Sequence, residues 1–326
     1  MDAQPRLGSS REGPLLLCVT PSPAIDRTAR VERVVTGVIL RALEVVALPG
    51  GKGVNAARVA RRLGARVITT GVAGGHAGRW IVEALEHEGL EPHFAMAEAE
   101  SRTTYVIVDA AGDAVIVYER PATATEAELE AFLDLLRHGL LPRADRAVVA
   151  GSLPSGVPVE GFARIVMAAR EVGCPLLVDT SGEGLKAALS ARPDIVKVGL
   201  TEVREAGLVD ATATPVEAAL ALAHAGARFA LVTDGARQAA ATDGRHTWII
   251  DVPRVEAVNA VGSGDAVNAG LSMALAEGAS VEEALARGIA AGSANALSLS
   301  GGDLDLDTVR RLETQVRVAM LTTTGS

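Results

Sequence analysis

The chain has 326 residues, a formal net charge of −9 at pH 7, 48% hydrophobic but only 2% aromatic residues, and two cysteines. That length serves one large α/β domain or two medium ones, and no uninterrupted apolar run nears the roughly 18 residues of a membrane-spanning helix. The acidic balance lacks the clustered basic residues of a nucleic-acid footprint, so an anionic ligand would need a local positive pocket.

The opening residues, 1–14, lack an apolar core segment and read as a disordered leader rather than a secretory signal; residues 321–326 read as a frayed tail. Cys18 and Cys174 sit in apolar, strand-like segments and read as buried thiols of a reducing cytoplasm. After the first strand, LLLCV, the stretch TPSPAIDR places Asp26 where open α/β sheets bind ligands, although a lone Asp is also a common turn residue. Residues 28–48 favour strands and carry no helix cap. The next stretch, LPGGKGVNAARVARRLGA, sets Gly50 and Gly51 before Lys52; Gly53 opens a helix with Asn55 on its first turn. The Walker spacing GxxxxGK[ST] is absent, and so is GxGxxG at a first strand–helix turn, which excludes an ordinary phosphate-binding loop and counts against a nicotinamide dehydrogenase.

Thr103–Val108 and Ala114–Tyr118 read as a hairpin around DAAGD. Together with 28–48 they predict a small β-sheet, with segments near 28–48 and 101–120, projecting as a lid over an active site. Helix starts are marked by capping boxes at Thr125–Glu128 and Ser280–Glu283 and by Thr214-Pro215; Gly64, Gly89 and Gly173 mark helix ends. From about residue 146, buried-strand runs (RAVVA, PLLVD, DIVKV, FALVT) alternate with amphipathic segments. This alternation predicts a mainly parallel sheet with helices on both faces. A later hairpin joins 238–242 to 246–250. The economical organisation is a single domain over 15–320 with a small lid.

Near the end, VNAVGSGDAVNAGL crowds Gly262, Ser263 and Gly264 before Asp265 at a helix start. Bare N–H groups at a helix N-terminus can hold an anion, and Asp265 beside them could accept a proton from an attacking hydroxyl. By itself GSGD is more simply a tight turn with a capping Asp.

Taken together, TPSPAIDR, GGKGVNAA and NAVGSGDAVNAG resemble the PfkB (ribokinase-like) carbohydrate kinases, over about Leu15 to Leu312. With GSLPSG at 151–156 they are similar to the hexose-phosphate branch. The resemblance implies a three-layer α/β/α fold with a small β-sheet lid, ATP and Mg²⁺ as cofactors, with a monovalent cation as a further candidate, and a small phosphosugar as partner. The reaction implied is phosphorylation of fructose 1-phosphate, tagatose 6-phosphate or fructose 6-phosphate to a hexose bisphosphate. Asp265 would be the base and Gly262, Ser263 and Gly264 the anion hole. Asp26, Gly50, Gly51, Lys52 and Asn55 would bind the sugar, and Arg102, helped by Arg41 and Lys52, its phosphate. On the nucleotide side stand Lys197, Glu202 (also toward Mg²⁺ through water), Thr233, Gly235 and Asn295, the last beside the adenine. Two departures stand out: Gly199 where relatives carry Asn in Lys-Pro-Asn-x-x-Glu, and Asp234 where they carry a hydrophobic residue. The alternatives are a kinase of an unphosphorylated sugar or nucleoside, and a catalytically weak sugar- or nucleotide-binding regulator. The edges of the lid sheet would suit a homodimer; neither nucleic acid nor membrane is expected as a partner.

Overall fold

The computed structural model describes residues 13–298 and 300–321. The expectations for the leader and tail therefore lie almost wholly outside the described residues. The main sheet has ten strands in the order 317–320, 247–251, 238–242, 229–234, 195–199, 176–179, 146–150, 15–19, 66–70, 91–92. Strands from Phe229–Asp234 to Glu91–Pro92 run parallel; the three C-terminal ones continue antiparallel.

The first strand, Leu15–Val19, shows why helices must cover both faces. Leu16 and Cys18 are buried on one side, against Val54, Ala57 and Ala266; Leu15, Leu17 and Val19 are buried on the other, against Phe132 and Ile165. A strand wet on neither face reads as continuous apolar sequence, as LLLCV does. Helices Lys52–Arg62, Ser263–Ala276 and Val281–Asn295 pack on the first face. The last two approach closely because a side chain at Gly270 would meet Arg287 O at 2.9 Å and Gly288 Cα at 3.1 Å. Small residues thus do in this core what aromatics do elsewhere. Thr125, Thr214 and Ser280 each close a capping box at a helix start.

A separate four-stranded sheet has the order Ala42–Gly50, Ala24–Val31, Arg102–Val108, Ala114–Tyr118. Its first two strands begin and end closer to the main domain than residues 28–48 suggest, with 32–41 forming the connection between them. Asp109 organises the outer end, its carboxylate accepting from the N–H groups of Val34, Ala111 and Asp113. Leu43, Val45, Ile116 and Val117 are exposed on this sheet.

Candidate active site

A cleft of about 830 Å³ opens where the small sheet meets the carboxyl ends of the parallel strands. This is where the pattern of an open α/β sheet puts ligands. The strand ends supply Thr20, Asp179, Gly199 and Thr233, and the small sheet supplies Asp26, Arg102, Thr104 and Tyr118. Two helix starts supply Lys52 and Asn55 on one side, and Gly262, Gly264 and Asp265 on the other.

The glycine crowding before Asp265 has two distinct causes. Gly262 is the N-cap of helix Ser263–Ala276 with φ +82°, a left-handed conformation that glycine adopts without steric cost. Gly264 is bare because a Cβ there would lie 2.6 Å from Lys197 Nζ. Lys197 is buried and tied to Asp179 at 3.0 Å, so it cannot simply swing aside. We expect Gly264→Ala to cost about 1–3 kcal/mol of stability through overpacking and to lower kcat at least tenfold. Thermal denaturation and steady-state kinetics check this; a variant matching the parent in both would show that the approach of Lys197 is not a constraint.

Asp265, on the first turn of this helix, is 6% exposed and accepts a hydrogen bond from Asn55 Nδ2 at 2.9 Å. Burial, followed by the like charge of Asp179, raises its pKa to about 7 against the pull of Asn55, Lys197 and Lys52. A carboxylate poised there can accept a proton near neutral pH, which an ordinary aspartate does poorly.

Behind it lies a buried charge network. Asp179 is at 2.8 Å from Lys52 Nζ, 3.0 Å from Lys197 Nζ and 2.8 Å from Asn268 Nδ2. Burial alone would raise the Asp179 pKa, but the two lysines hold it well below the usual carboxylate range. Lys52 also meets Glu202 at 3.1 Å; burial tends to lower its pKa, and the carboxylates of Asp179 and Glu202 more than reverse that. The sequence reading missed Asp179. The available signal was a carboxylate ending the buried strand LLVD, the same cue that singled out Asp26.

Across the cleft, Asp26 accepts a hydrogen bond from Thr104. Its carboxylate lies against Gly50, where a Cβ would fall 2.0 Å from Asp26 Oδ2. Burial raises its pKa, opposed by Thr104, Arg58 and Arg102. Arg102 Nε, Thr20 Oγ1 and Ser22 Oγ are buried and make no hydrogen bond within the protein, although all three residues line this cleft. Buried polar atoms are almost always satisfied, so three unsatisfied ones around one opening point to a polar ligand, and the guanidinium to an anionic one.

The geometry corrects two sequence expectations. Arg41 does not reach this cleft: it lines a separate cavity at the outer end of the small sheet, with Arg33 and Asp109. Asn295 is fully buried; its Nδ2 donates to Val261 O and Ser263 Oγ, and its Oδ1 accepts from Gly302 N–H. Its amide braces the turn before Asp265 and is not available to a base. Gly235, in the left-handed turn after strand Phe229–Asp234 with φ +56°, and Ser263 are absent from the cleft lining, whereas Thr233 is part of it. Asp234, beside that turn, is held bidentately by Arg237 at 2.7 Å. Among the described residues no three His, Cys, Asp or Glu side chains converge as a metal cluster. Glu202 takes the N–H of Gly199 at 2.8 Å and its side chain is 29% exposed. A partly wet carboxylate, shared with Lys52, fits a Mg²⁺ that keeps its waters and draws its other ligands from phosphates.

The chain has clear relatives among known proteins. A sequence profile described as "pfkB family carbohydrate kinase" matches residues 15–308. The 1-phosphofructokinase of Bacillus subtilis (strain 168) is 29% identical over 311 residues, spanning 94% of this chain and 100% of that protein. Phosphofructokinase-2 of Escherichia coli has been solved in complex with potassium (TM-score 0.84) and in complex with fructose-6-phosphate (TM-score 0.81). It has also been solved in a tetrameric inhibited form (TM-score 0.82); each of the three is 27% identical and covers 93% of this chain and 99% of that one.

Proposed function

The chain belongs to the PfkB family of carbohydrate kinases, and from that premise we propose that it transfers the γ-phosphoryl group of ATP to a hydroxyl of a ketohexose phosphate, giving a hexose bisphosphate. The observation that carries this reading is the facing of Asp265 and its glycine turn toward Arg102 and Asp26 across one cleft. In it, Arg102 holds the phosphate the sugar already bears, and Asp26 and Asn55 orient its hydroxyls. Asp265 takes the proton of the attacking hydroxyl as the new O–P bond forms and the bond to ADP breaks. The N–H groups of the turn at Gly262–Gly264, at the positive end of a helix, steady the charge on the phosphoryl group in transit. Lys197 and Lys52 add fixed positive charge, and Glu202 would hold Mg²⁺ through water; when bound, the ion neutralises charge on the ATP phosphates. The relative solved with potassium supports counting a monovalent cation among the candidate cofactors.

The small sheet serves as a lid that closes on the sugar and excludes water, which suppresses wasteful ATP hydrolysis. Its exposed apolar residues support a homodimer formed through this sheet. Cys18 and Cys174 are buried and unbridged, in keeping with a cytoplasmic enzyme.

The test is ADP release with MgATP against fructose 1-phosphate, fructose 6-phosphate, tagatose 6-phosphate and the corresponding neutral sugars. Turnover with one phosphosugar supports the reading and names the substrate; turnover with a neutral sugar alone overturns it. Arg102→Gln sharpens the result. Losing one charge-assisted contact costs about 1.5–3 kcal/mol, so KM for the phosphosugar should rise roughly 10- to 100-fold with a smaller change in kcat. Unchanged KM would remove Arg102 from the phosphate site.

A further inference from the structure

The side chain that aims Asp265 is itself aimed from behind. Asn55 offers an amide whose oxygen only accepts and whose nitrogen only donates. On one side stands Asp265, which, ionised, only accepts; on the other stands Arg58, one helical turn along, which only donates. The orientation follows: Asn55 Oδ1 accepts from Arg58 Nη1 at 3.3 Å and Nδ2 donates to Asp265 Oδ2 at 2.9 Å. Arg58 is fixed in turn. Its Nε and Nη2 grip both oxygens of Glu88 at 2.7 Å, and Nη2 also donates to Pro49 O at 2.6 Å. Both side chains are largely withdrawn from solvent, 16% exposed for Arg58 and 27% for Glu88. The loop at Gly302 closes over the pair, since a Cβ there would lie 3.2 Å from Asn55 Cα and 3.3 Å from Arg58 Cδ.

We propose that Arg58, clamped by Glu88, is a positioning residue for the reaction: it locks the Asn55 amide so that an N–H, and never the carbonyl oxygen, faces Asp265. The inference rests on the reading of Asp265 as the base. One guanidinium then joins three parts of the machine: the base, the root of the small sheet at Pro49, and the end of helix Gly75–His87 at Glu88. Without Arg58 the amide is free to turn over and to present Oδ1 to the carboxylate. Asp265 would lose a donor that favours its ionised form, while its charged neighbours Asp179, Lys197 and Lys52 stay where they are. Glu88 grips Arg58 and Asp26 feels its charge, while Arg61, Arg62 and Asp303 line the same cavity, Arg62 paired with Asp303 at 2.8 Å.

The experiment is the pH profile of kcat from pH 5.5 to 9.5 for the parent, Arg58→Met, Arg58→Lys, Glu88→Gln and Asn55→Ala, with Asp265→Asn as reference. In Arg58→Met the acid limb is expected to move up by about one pH unit, a factor of ten in proton affinity. At pH 7 kcat, read at saturating sugar because Asn55 also orients the substrate and KM rises with its release, then falls several-fold and largely recovers by pH 9. Glu88→Gln should move the limb the same way by less. Arg58→Lys, which keeps the charge but not the fork, should restore only part of the shift. Adding Arg58→Met to Asn55→Ala should move the limb no further, because the two act as one unit. A uniform loss of kcat at every pH with an unmoved limb would overturn the proposal, as would an unchanged profile. If Arg58→Met fails to fold, Glu88→Gln and the Lys variant decide it by the same criterion. Full turnover in Asp265→Asn would instead sink the base assignment, which separates that failure from this one.

Discussion

Asp265→Asn is expected to lower kcat by 10²–10⁴-fold, the usual contribution of a general base, and to leave a protein more stable than the parent at pH 8. The two effects share one cause. Asp265 is buried beside Asp179, and its folded pKa of about 7 lies above the ordinary aspartate value. A carboxyl with a raised folded pKa is protonated more readily in the native state, so its contribution weakens stability as pH rises from about 4 to about 7 and stays unfavourable above that. Three pKa units correspond to at most about 4 kcal/mol. Asn removes the charge, keeps the shape and still accepts from Asn55 Nδ2. Denaturation at pH 8 should therefore show a Tm gain of several degrees, which shrinks toward zero near pH 4. Full turnover in this variant would exclude Asp265 as the base, and a lower Tm at pH 8 would show that the buried charge is better compensated than its neighbours indicate. The same reasoning places the acid limb of the parent's kcat/KM profile near pH 7.

What could be read from the sequence follows the range of the forces involved. Strand alternation, capping boxes and glycine helix ends act over a few residues, and the structure has them where the local pattern puts them. The site stretches TPSPAIDR, GGKG and GSGD were legible because each couples a special backbone to a special side chain. Arg41 failed for want of distance. It stands eight residues before Pro49 along an extended strand, roughly 26 Å at 3.3 Å per residue, which carries it away from the cleft. Asn295 failed for want of packing. Helix periodicity shows that a residue can face a neighbour but not which neighbour, and the loop at Gly302 and the turn at Val261 take up its whole amide. Asp179 and the Arg58–Glu88 pair depend on partners 18 to 127 residues away for the first and 30 away for the second. No local pattern announces such pairings.

Asp179→Asn is expected to be the most destabilising conservative change in the site. The carboxylate is 1% exposed and serves Lys197, Lys52 and Asn268 at once. Lys197 is 4% exposed, and without Asp179 it keeps no carboxylate partner among the ion pairs of the described residues. Removing one member of a buried pair leaves an uncompensated charge and costs about 3–5 kcal/mol. Lys52 fares better, since Glu202 still faces it at 3.1 Å. Because the native pKa of Asp179 is depressed, its stabilisation is present above the unfolded value and lost as pH falls through the lower folded one. The gap between parent and Asn variant should thus persist from pH 8 down to about pH 4. Asp265 should respond in the opposite sense to the fold. With its like-charged neighbour gone and two lysines less neutralised, Asp265 holds its proton less tightly, and the acid limb of kcat should move below that of the parent. Chemical denaturation reads the first effect and the pH profile the second. A variant as stable as the parent, or with its limb moved upward, would mean that Lys197 and Lys52 find other partners and that Asp179 does not hold the site's charges in place.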